Sequence, residues 1–153
     1  MGKTCAFLGN DYGLCQPTGL IDVLAAQIRR LITEEGVDTF LVGEKGSYEW
    51  DAYHTVICLK RQEFPNIHIT LILSSVQDLN NHNEDMDDWY FPIDAEFGKR
   101  WCISKRNNWI ADNTDFVIAY NRYHGRAYGF CQRAKRHGAT VIELADMLKD
   151  DAL

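Results

Sequence analysis

The 153-residue sequence lacks several features that would assign it quickly to a functional class. No apolar run approaches the roughly 18 residues that a membrane-spanning helix needs, and the first residues show no long apolar signal region followed by a cleavage site. The five cysteines are an odd number without a C-x-x-C pair, so the sequence predicts neither a disulfide framework nor a zinc site. These absences favour a cytoplasmic protein with no bound metal.

An excess of basic charge is also absent. The sequence has 16 Lys and Arg residues against 22 Asp and Glu residues, which gives a net charge of −6. A negative molecule repels the phosphate backbone of nucleic acid, so only a local basic patch could bind it, and residues 122–136 are the strongest candidate. A solvated helix face explains this segment better, and nucleic acid is not an expected partner.

The familiar phosphate-binding fingerprints are missing as well. The first apolar run ends in GNDYG, residues 9–13, which fits neither G-x-G-x-x-G nor G-x-x-x-x-G-K-[ST]. The sequence therefore argues against a standard nicotinamide dehydrogenase or nucleoside triphosphatase, and it predicts no cofactor.

What the sequence does contain is an alternation of short apolar runs and helical stripes. The first helical stripe, residues 18–35, repeats leucine and isoleucine at three- and four-residue spacing, with Thr18 as a candidate cap and Gly36 as a candidate end. Further helices are predicted at 47–64, 99–111 and 128–137. Strands are predicted at 4–8, 39–42, 67–73, 116–120 and 140–144.

This alternation predicts an α/β protein with helices on both faces of a parallel sheet. We expect a single Rossmann-like domain over residues 1–153, a three-layer sandwich with a mostly parallel five-stranded sheet in the order 3-2-1-4-5. In that order the connections of strands one and four leave in opposite directions. A crevice then opens beyond the carboxyl ends of these strands, and the loops that follow the strands face it.

The segment between the third and fourth predicted strands is long, and its first half is acidic and irregular. Residues 74–98 are predicted to form an insertion or lid. The aromatic side chains of Trp89, Tyr90 and Phe91 could close over a ligand or anchor the segment to the core. The role of residues 84–97 stays open at this stage.

Glycines and a carboxylate follow the second predicted strand. Gly43 and Gly46 would let backbone amides approach an anion at the start of the next helix, and Asp51, expected in the first turn, could accept hydrogen bonds from ribose hydroxyls. The alternative is an ordinary turn with a favourable acid near the helix start.

The other candidate ligand-binding residues follow or precede the first and fourth predicted strands. Arg106 offers a guanidinium suited to phosphate or carboxylate, and the amide of Asn107 could fix the orientation of the ligand. The remaining candidates are Gly9 and Asn10 after the first strand and Asn121 and Gly125 after the fourth. Gly129, inside a predicted helix, suggests close packing at that point.

Four segments together resemble the SLOG superfamily, which includes the DprA and LOG proteins, and within it the small YpsA-like proteins. They are KTCAFLGN, EEGVDTFLVGEKGSYEWDA, KRNNWIADNTDFVIAYN and GRAYGFCQRAKRHGATVIEL. The resemblance implies a Rossmann-like fold and a nucleotide or nucleotide-derived ligand, with Gly9, Gly43, Asp51, Arg106, Asn107 and Gly125 at matching positions. Two elements depart from the family. The P-G-G-x-G-T-x-x-E motif of LOG-type phosphoribohydrolases has no counterpart, and Asn10 and Asp11 replace the His and Arg of the G-H-R loop.

Three functions remain in view. The first is binding or sensing of a nucleotide-like small molecule without catalysis. The second is cleavage or transfer at an N-glycosidic bond, as in LOG proteins and nucleoside deoxyribosyltransferases, with Asp51, Glu49 or Asp11 as nucleophile or base. The third is a protein-interaction domain that uses the aromatic, acidic segment 85–101. A chain of this size and fold is also compatible with a homodimer.

Overall fold

The computed structural model describes residues 2–43, 45–75, 86–92 and 99–148, and strands and helices alternate through these ranges. The strands are β1 (Lys3–Gly9), β2 (Val37–Val42), β3 (His68–Ile72), β4 (Asp88–Tyr90), β5 (Phe116–Tyr120) and β6 (Thr140–Glu143). The helices are α1 (Leu20–Glu34), α2 (Ser47–Gln62), α3 (Lys99–Asn113), α4 (Arg126–Arg136) and α5 (Leu144–Met147). The predicted alternation is confirmed, and each predicted element lies close to its expected position.

The strands form one sheet in the order β4-β3-β2-β1-β5-β6, and every pairing between them is parallel. Without β4 this is the predicted order, so the α/β, Rossmann-like fold class is confirmed. The predicted count of five strands is wrong. Strand β4 has three residues, all exposed, and therefore carries no apolar run or alternation that could signal it. Backbone hydrogen bonds hold it, including the one from Leu73 N to Tyr90 O at 2.9 Å.

Alternate residues of the strands supply two separate apolar cores, as the two-residue period of a strand requires. Cys5 and Phe7 of β1 belong to the first core, which also receives buried residues of α1, α2 and α5. Ala6 and Leu8 belong to the second core, together with buried residues of α3 and α4. The predicted three-layer sandwich is confirmed. Among the described residues, no helix is both long and apolar enough to cross a membrane.

Helix α1 buries the stripe that its spacing predicts, because Leu20, Leu24, Ile28 and Leu31 are all fully buried. The prediction that Thr18 caps this helix is wrong. The helix begins at Leu20 after Gly19, which has a φ of 81° and provides no side-chain cap. Gly36 follows the helix with a φ of 76°, the left-handed conformation that commonly ends helices.

The predicted insertion at 74–98 lies largely outside the described residues, since 76–85 and 93–98 are not among them. Its described part is held against the rest of the molecule. Phe91 packs against the first core, and the ring of Tyr90 lies 4.7 Å from that of Trp109. These aromatics therefore anchor the described part of the segment. Trp89 is about half exposed.

Candidate functional site

The centre of the candidate site is a buried ion pair between two helices. Arg106 of α3 is 1% exposed, and its Nη2 donates a hydrogen bond to Oε1 of Glu49 in the first turn of α2. Nε and Nη2 of Arg106 also donate to Oδ1 of Asn107, at 3.1 and 2.7 Å. The second carboxylate oxygen of Glu49 accepts the backbone N–H of Lys45 at 2.6 Å. Glu49 therefore joins α3 to the loop that precedes α2.

Two of the predicted glycines make room for side chains of this chain. A Cβ atom at Gly43 would lie 2.5 Å from Nη1 of Arg106 and 3.0 Å from Oε2 of Glu49. A Cβ atom at Gly9 would overlap the ring of Tyr48. That ring is buried, and its hydroxyl donates to the Ile118 carbonyl oxygen at 2.7 Å. The groups that lie against these two glycines are therefore side chains of the chain itself, the Arg106 guanidinium among them.

A cavity of about 130 Å³ lies beside the ion pair, at the carboxyl end of β1. Gly9, Arg106 and Asn107 line it, as the sequence predicts, and Glu49 contributes its carboxylate. Residues that were not predicted as ligand contacts complete the wall: Leu8, Lys45, Ile103, Arg126, Ala127 and Phe130. The cavity is therefore bounded by β1, α3, the start of α4 and the loop before α2.

Arg126 is a cationic residue in the lining of this cavity that the sequence analysis did not name as a ligand contact. It is the first residue of α4, and its Nη2 donates to Oγ of Ser104 at 2.8 Å. Its position directly after Gly125 could have pointed to it, because helix N-termini attract anions. Lys45 could have been identified in the same way, because it lies between Gly43 and Gly46 just before the N-terminus of α2. Among the described residues, no three His, Cys, Asp or Glu side chains are grouped in a way that would hold a metal ion.

The N-terminus of α2 is occupied by a carboxylate of this chain. Oδ1 of Asp11 accepts hydrogen bonds from Oγ of Ser47, from the Ser47 N–H at 3.3 Å and from the Gly13 N–H at 3.0 Å. The Ser47 hydroxyl, followed by these backbone N–H groups, holds the pKa of Asp11 below its ordinary value. Gly46 has a φ of 137°, and a Cβ there would lie 3.8 Å from the Asp11 carboxyl carbon. Asp11 and Gly46 do not line the cavity.

Asp51 also lies outside the cavity. The expectation that it stands in the first turn of α2 is wrong, because the helix begins at Ser47 and Glu49 is the acidic residue of that turn. Oδ2 of Asp51 accepts hydrogen bonds from the Tyr12 hydroxyl and, at 2.9 Å, from Nε2 of Gln16. Burial and then the neighbouring Asp51 carboxylate raise the pKa of Tyr12 well above its usual range. Asp51 therefore attaches the loop after β1 to α2.

Three predicted residues lie near the end of β5: Asn10 and Gly125 contact Tyr123, and Asn121 lies at a second cavity. Oδ1 of Asn10 accepts the Tyr123 N–H at 3.1 Å, so Asn10 joins the ends of β1 and β5. Gly125 precedes α4, and a Cβ there would lie 2.8 Å from the Tyr123 ring. Asn121 lines a second cavity, which does not include Arg106.

Comparisons with known proteins bear on the fold. No family model matches this chain, and no curated protein matches it. Among solved structures, TarJ from S. aureus, crystallised in complex with NADPH, is similar with a TM-score of 0.51 and 18% sequence identity. The match covers 94% of this chain but 52% of TarJ, so the chain spans about half the length of that protein. At this identity the likeness concerns the fold, and this chain has a Rossmann-like fold.

Proposed function

We propose that this chain binds a nucleotide or a nucleotide-derived small molecule through a phosphate group placed in the cavity beside Arg106. The observation that carries the proposal is a buried guanidinium lining a small cavity at the carboxyl end of β1. Ligands of open α/β sheets bind beyond the carboxyl ends of the strands, where neighbouring connections leave in opposite directions. Strands β1 and β5 meet this description, since β1 leads to β2 on one side and β5 to β6 on the other.

The size of the cavity suits one anionic group. Sites that enclose a whole drug-sized ligand measure about 300 to 1,000 Å³, whereas this cavity measures about 130 Å³. A phosphate would therefore enter it, and the sugar and base would extend outside. Arg126 is the candidate contact, because its present partner is a neutral hydroxyl and a phosphate would form a stronger, charge-assisted hydrogen bond.

The likeness to TarJ, a protein solved with NADPH, supports a nucleotide-like ligand for this chain. The resemblance of four sequence segments to the SLOG superfamily supports the same class of ligand, and membership of that superfamily is part of the proposal. A glycosidic-bond enzyme has less support. The carboxylates of Asp51, Glu49 and Asp11 each accept hydrogen bonds from other groups of the chain, and Glu49 alone lines the cavity.

The proposal is tested by thermal-shift and calorimetric titrations with inorganic pyrophosphate, ADP-ribose and NADPH. We expect at least one of them to raise the Tm and to bind with a dissociation constant in or below the millimolar range. Arg126→Gln should weaken this binding roughly tenfold, the loss expected for one charge-assisted hydrogen bond. Arg122→Gln is the matched control, because Arg122 is an exposed arginine that does not line the cavity.

Arg106 is left intact in this experiment, because its replacement would leave Glu49 without its partner and destabilise the fold. Two results contradict the proposal. One is the absence of stabilisation by all three probes at millimolar concentration. The other is an equal loss of affinity in Arg126→Gln and Arg122→Gln, which would indicate general attraction of anions to basic residues.

A further inference from the structure

An arginine of α4 and a serine of α3 are joined beside the first cavity, which is the cavity that Arg106 lines. Nη2 of Arg126 donates a hydrogen bond to Oγ of Ser104 at 2.8 Å, although the two residues lie 22 positions apart in the sequence. Arg126 lines the cavity, and so do Ile103 and Arg106, which lie on either side of Ser104 in α3. The hydrogen bond therefore links two helices that bound this cavity.

The charge of Arg126 is not compensated within the part of the chain that the structure describes. Its side chain is exposed, and it forms no ion pair there with a carboxylate, whereas Arg106 is paired with Glu49. A guanidinium carries five N–H donors, and the hydroxyl of Ser104 occupies one of those of Arg126. Arg126 can therefore bind an anion through its remaining donors and keep its hydrogen bond to Ser104.

The hydroxyl of Ser104 restricts the conformation of Arg126. A free arginine side chain populates many rotamers, and a ligand that fixes the guanidinium must offset the loss of this entropy. A guanidinium that is already held by a hydrogen bond has lost part of this freedom before the ligand arrives. A serine hydroxyl holds the group without neutralising its charge, whereas a carboxylate in the same place would pair with it and compete with an anionic ligand.

Other contacts hold the two helices together. Buried apolar residues of both helices belong to the same core: Ile110, Ala111, Cys131 and Ala134. Arg133 of α4 also donates to both carboxylate oxygens of Asp112, near the end of α3, at 2.6 and 2.7 Å. The bond between Ser104 and Arg126 is a single hydrogen bond at the surface. Its loss should leave the helices packed, so its effect on ligand affinity can be measured in a folded protein.

We infer that Ser104 is a positioning residue for the proposed phosphate site. Its hydroxyl holds the Arg126 guanidinium beside the first cavity, and Arg126 provides the charge that the phosphate contacts. This inference rests on the proposed function, because it requires an anion bound next to Arg126. It adds to the site a neutral residue that does not itself line the cavity.

Calorimetric titration of the full chain with inorganic pyrophosphate tests this role in three variants of Ser104. Ser104→Ala removes the hydroxyl and should weaken binding roughly three- to tenfold. Ser104→Thr keeps a hydroxyl and should bind within about twofold of the wild type. Ser104→Asp introduces a carboxylate beside Arg126 and should weaken binding more than Ser104→Ala does, because it neutralises the guanidinium.

Asn108 provides matched controls, since it lies in the same helix and does not line the cavity. Asn108→Ala should leave pyrophosphate affinity unchanged. Asn108→Asp should weaken binding less than Ser104→Asp, although both variants add the same charge to α3. A double variant separates a positioning role from a structural one. In the Arg126→Gln background, Ser104→Ala should cause no further loss of affinity, because the group that the hydroxyl positions is gone.

Wild-type affinity in Ser104→Ala overturns the inference, and it leaves the proposed function intact if Arg126→Gln still weakens binding. The inference is also overturned if Ser104→Ala lowers affinity by the same factor in the Arg126→Gln background, or if Ser104→Asp and Asn108→Asp weaken binding equally. No saturable binding of pyrophosphate to the wild type at millimolar concentration overturns it as well. If ADP-ribose and NADPH also fail to bind, the proposed function is overturned with it.

Discussion

Arg106 and Glu49 form an ion pair in which the arginine side chain is 1% exposed and the glutamate side chain is 10% exposed. Burying two charges costs hydration free energy, which their attraction and additional hydrogen bonds must offset. Here those hydrogen bonds come from the Lys45 N–H to Glu49 and from Arg106 to Asn107. The pair therefore fixes the relative position of α2 and α3 beside the first cavity.

The buried pair predicts strong coupling between its members. Glu49→Gln and Arg106→Met should each lower the free energy of unfolding by about 3 kcal/mol, because each leaves one charge buried without its partner. The double variant should lose less than the sum of the two single losses. Urea unfolding of the four proteins measures this, and additive losses would show that the pair is not coupled.

Two glycines should respond in opposite directions to replacement by alanine. Gly43→Ala should destabilise the protein by about 1 to 3 kcal/mol, because the added methyl group would lie 2.5 Å from Nη1 of Arg106 and force repacking. Gly129→Ala should stabilise α4 by up to about 1 kcal/mol. The close packing suggested for Gly129 by the sequence is absent, since a Cβ there meets no atom within 4 Å. Thermal unfolding should show a lower Tm for Gly43→Ala and a higher Tm for Gly129→Ala. Destabilisation by Gly129→Ala would contradict this description of α4.

Asp11 should make the stability of the protein depend on pH in the acidic range. Its pKa is lowered in the folded protein, mainly by the Ser47 hydroxyl, so its stabilising contribution is complete above the unfolded pKa and is lost as pH falls through the folded pKa. Asp11→Ala should lower the free energy of unfolding by about 0.3 to 1 kcal/mol near neutral pH, the usual effect of removing an exposed carboxylate at a helix N-terminus. The difference in unfolding free energy between this variant and the wild type should shrink as the pH falls below 3.8, the ordinary pKa of an aspartate. A difference that stays constant through that range would argue against a stabilising role of the Asp11 carboxylate at the N-terminus of α2.

Tyr12→Phe should loosen the loop that follows β1. The variant removes the hydroxyl that donates to Asp51 and leaves the edge-to-face contact with Tyr120, whose ring centroid lies 5.9 Å away. We expect a loss of stability of about 1 kcal/mol and faster amide hydrogen exchange at residues 10–16. Spectroscopic titration in base should also show one fewer late-ionising tyrosine in the variant, because the pKa of Tyr12 is raised in the folded protein. Unchanged exchange rates in this loop would contradict the proposed role of the hydroxyl.

The sequence was most informative about elements whose signal is repeated along the chain. The stripe of α1 and the fully buried β5 were predicted because apolar side chains recur at the spacing of each element. Strand β4 could not be predicted, since its stability comes from backbone hydrogen bonds to β3 and its three residues are exposed. The start of α1 was misplaced because Gly19 takes a left-handed conformation in place of a side-chain cap.

The candidate site was predicted in part. The sequence placed Gly9, Arg106 and Asn107 at the carboxyl edge of the sheet, and all three line the first cavity. It could not show that Arg106 would pair with Glu49, because these residues are 57 positions apart. The hydrogen bonds of Asp51 could not be predicted either, since its partners Tyr12 and Gln16 belong to a loop without a periodic pattern.

The short outer strands bear on self-association. Unpaired strand edges invite intermolecular sheet extension, and natural proteins limit this hazard with brief or charged edges. Strand β4 offers three residues with Asp88 among them, and β6 offers four that end in Glu143. Within the part of the chain that the structure describes, neither edge strand provides a long apolar template, so fibril-like stacking through these edges is disfavoured.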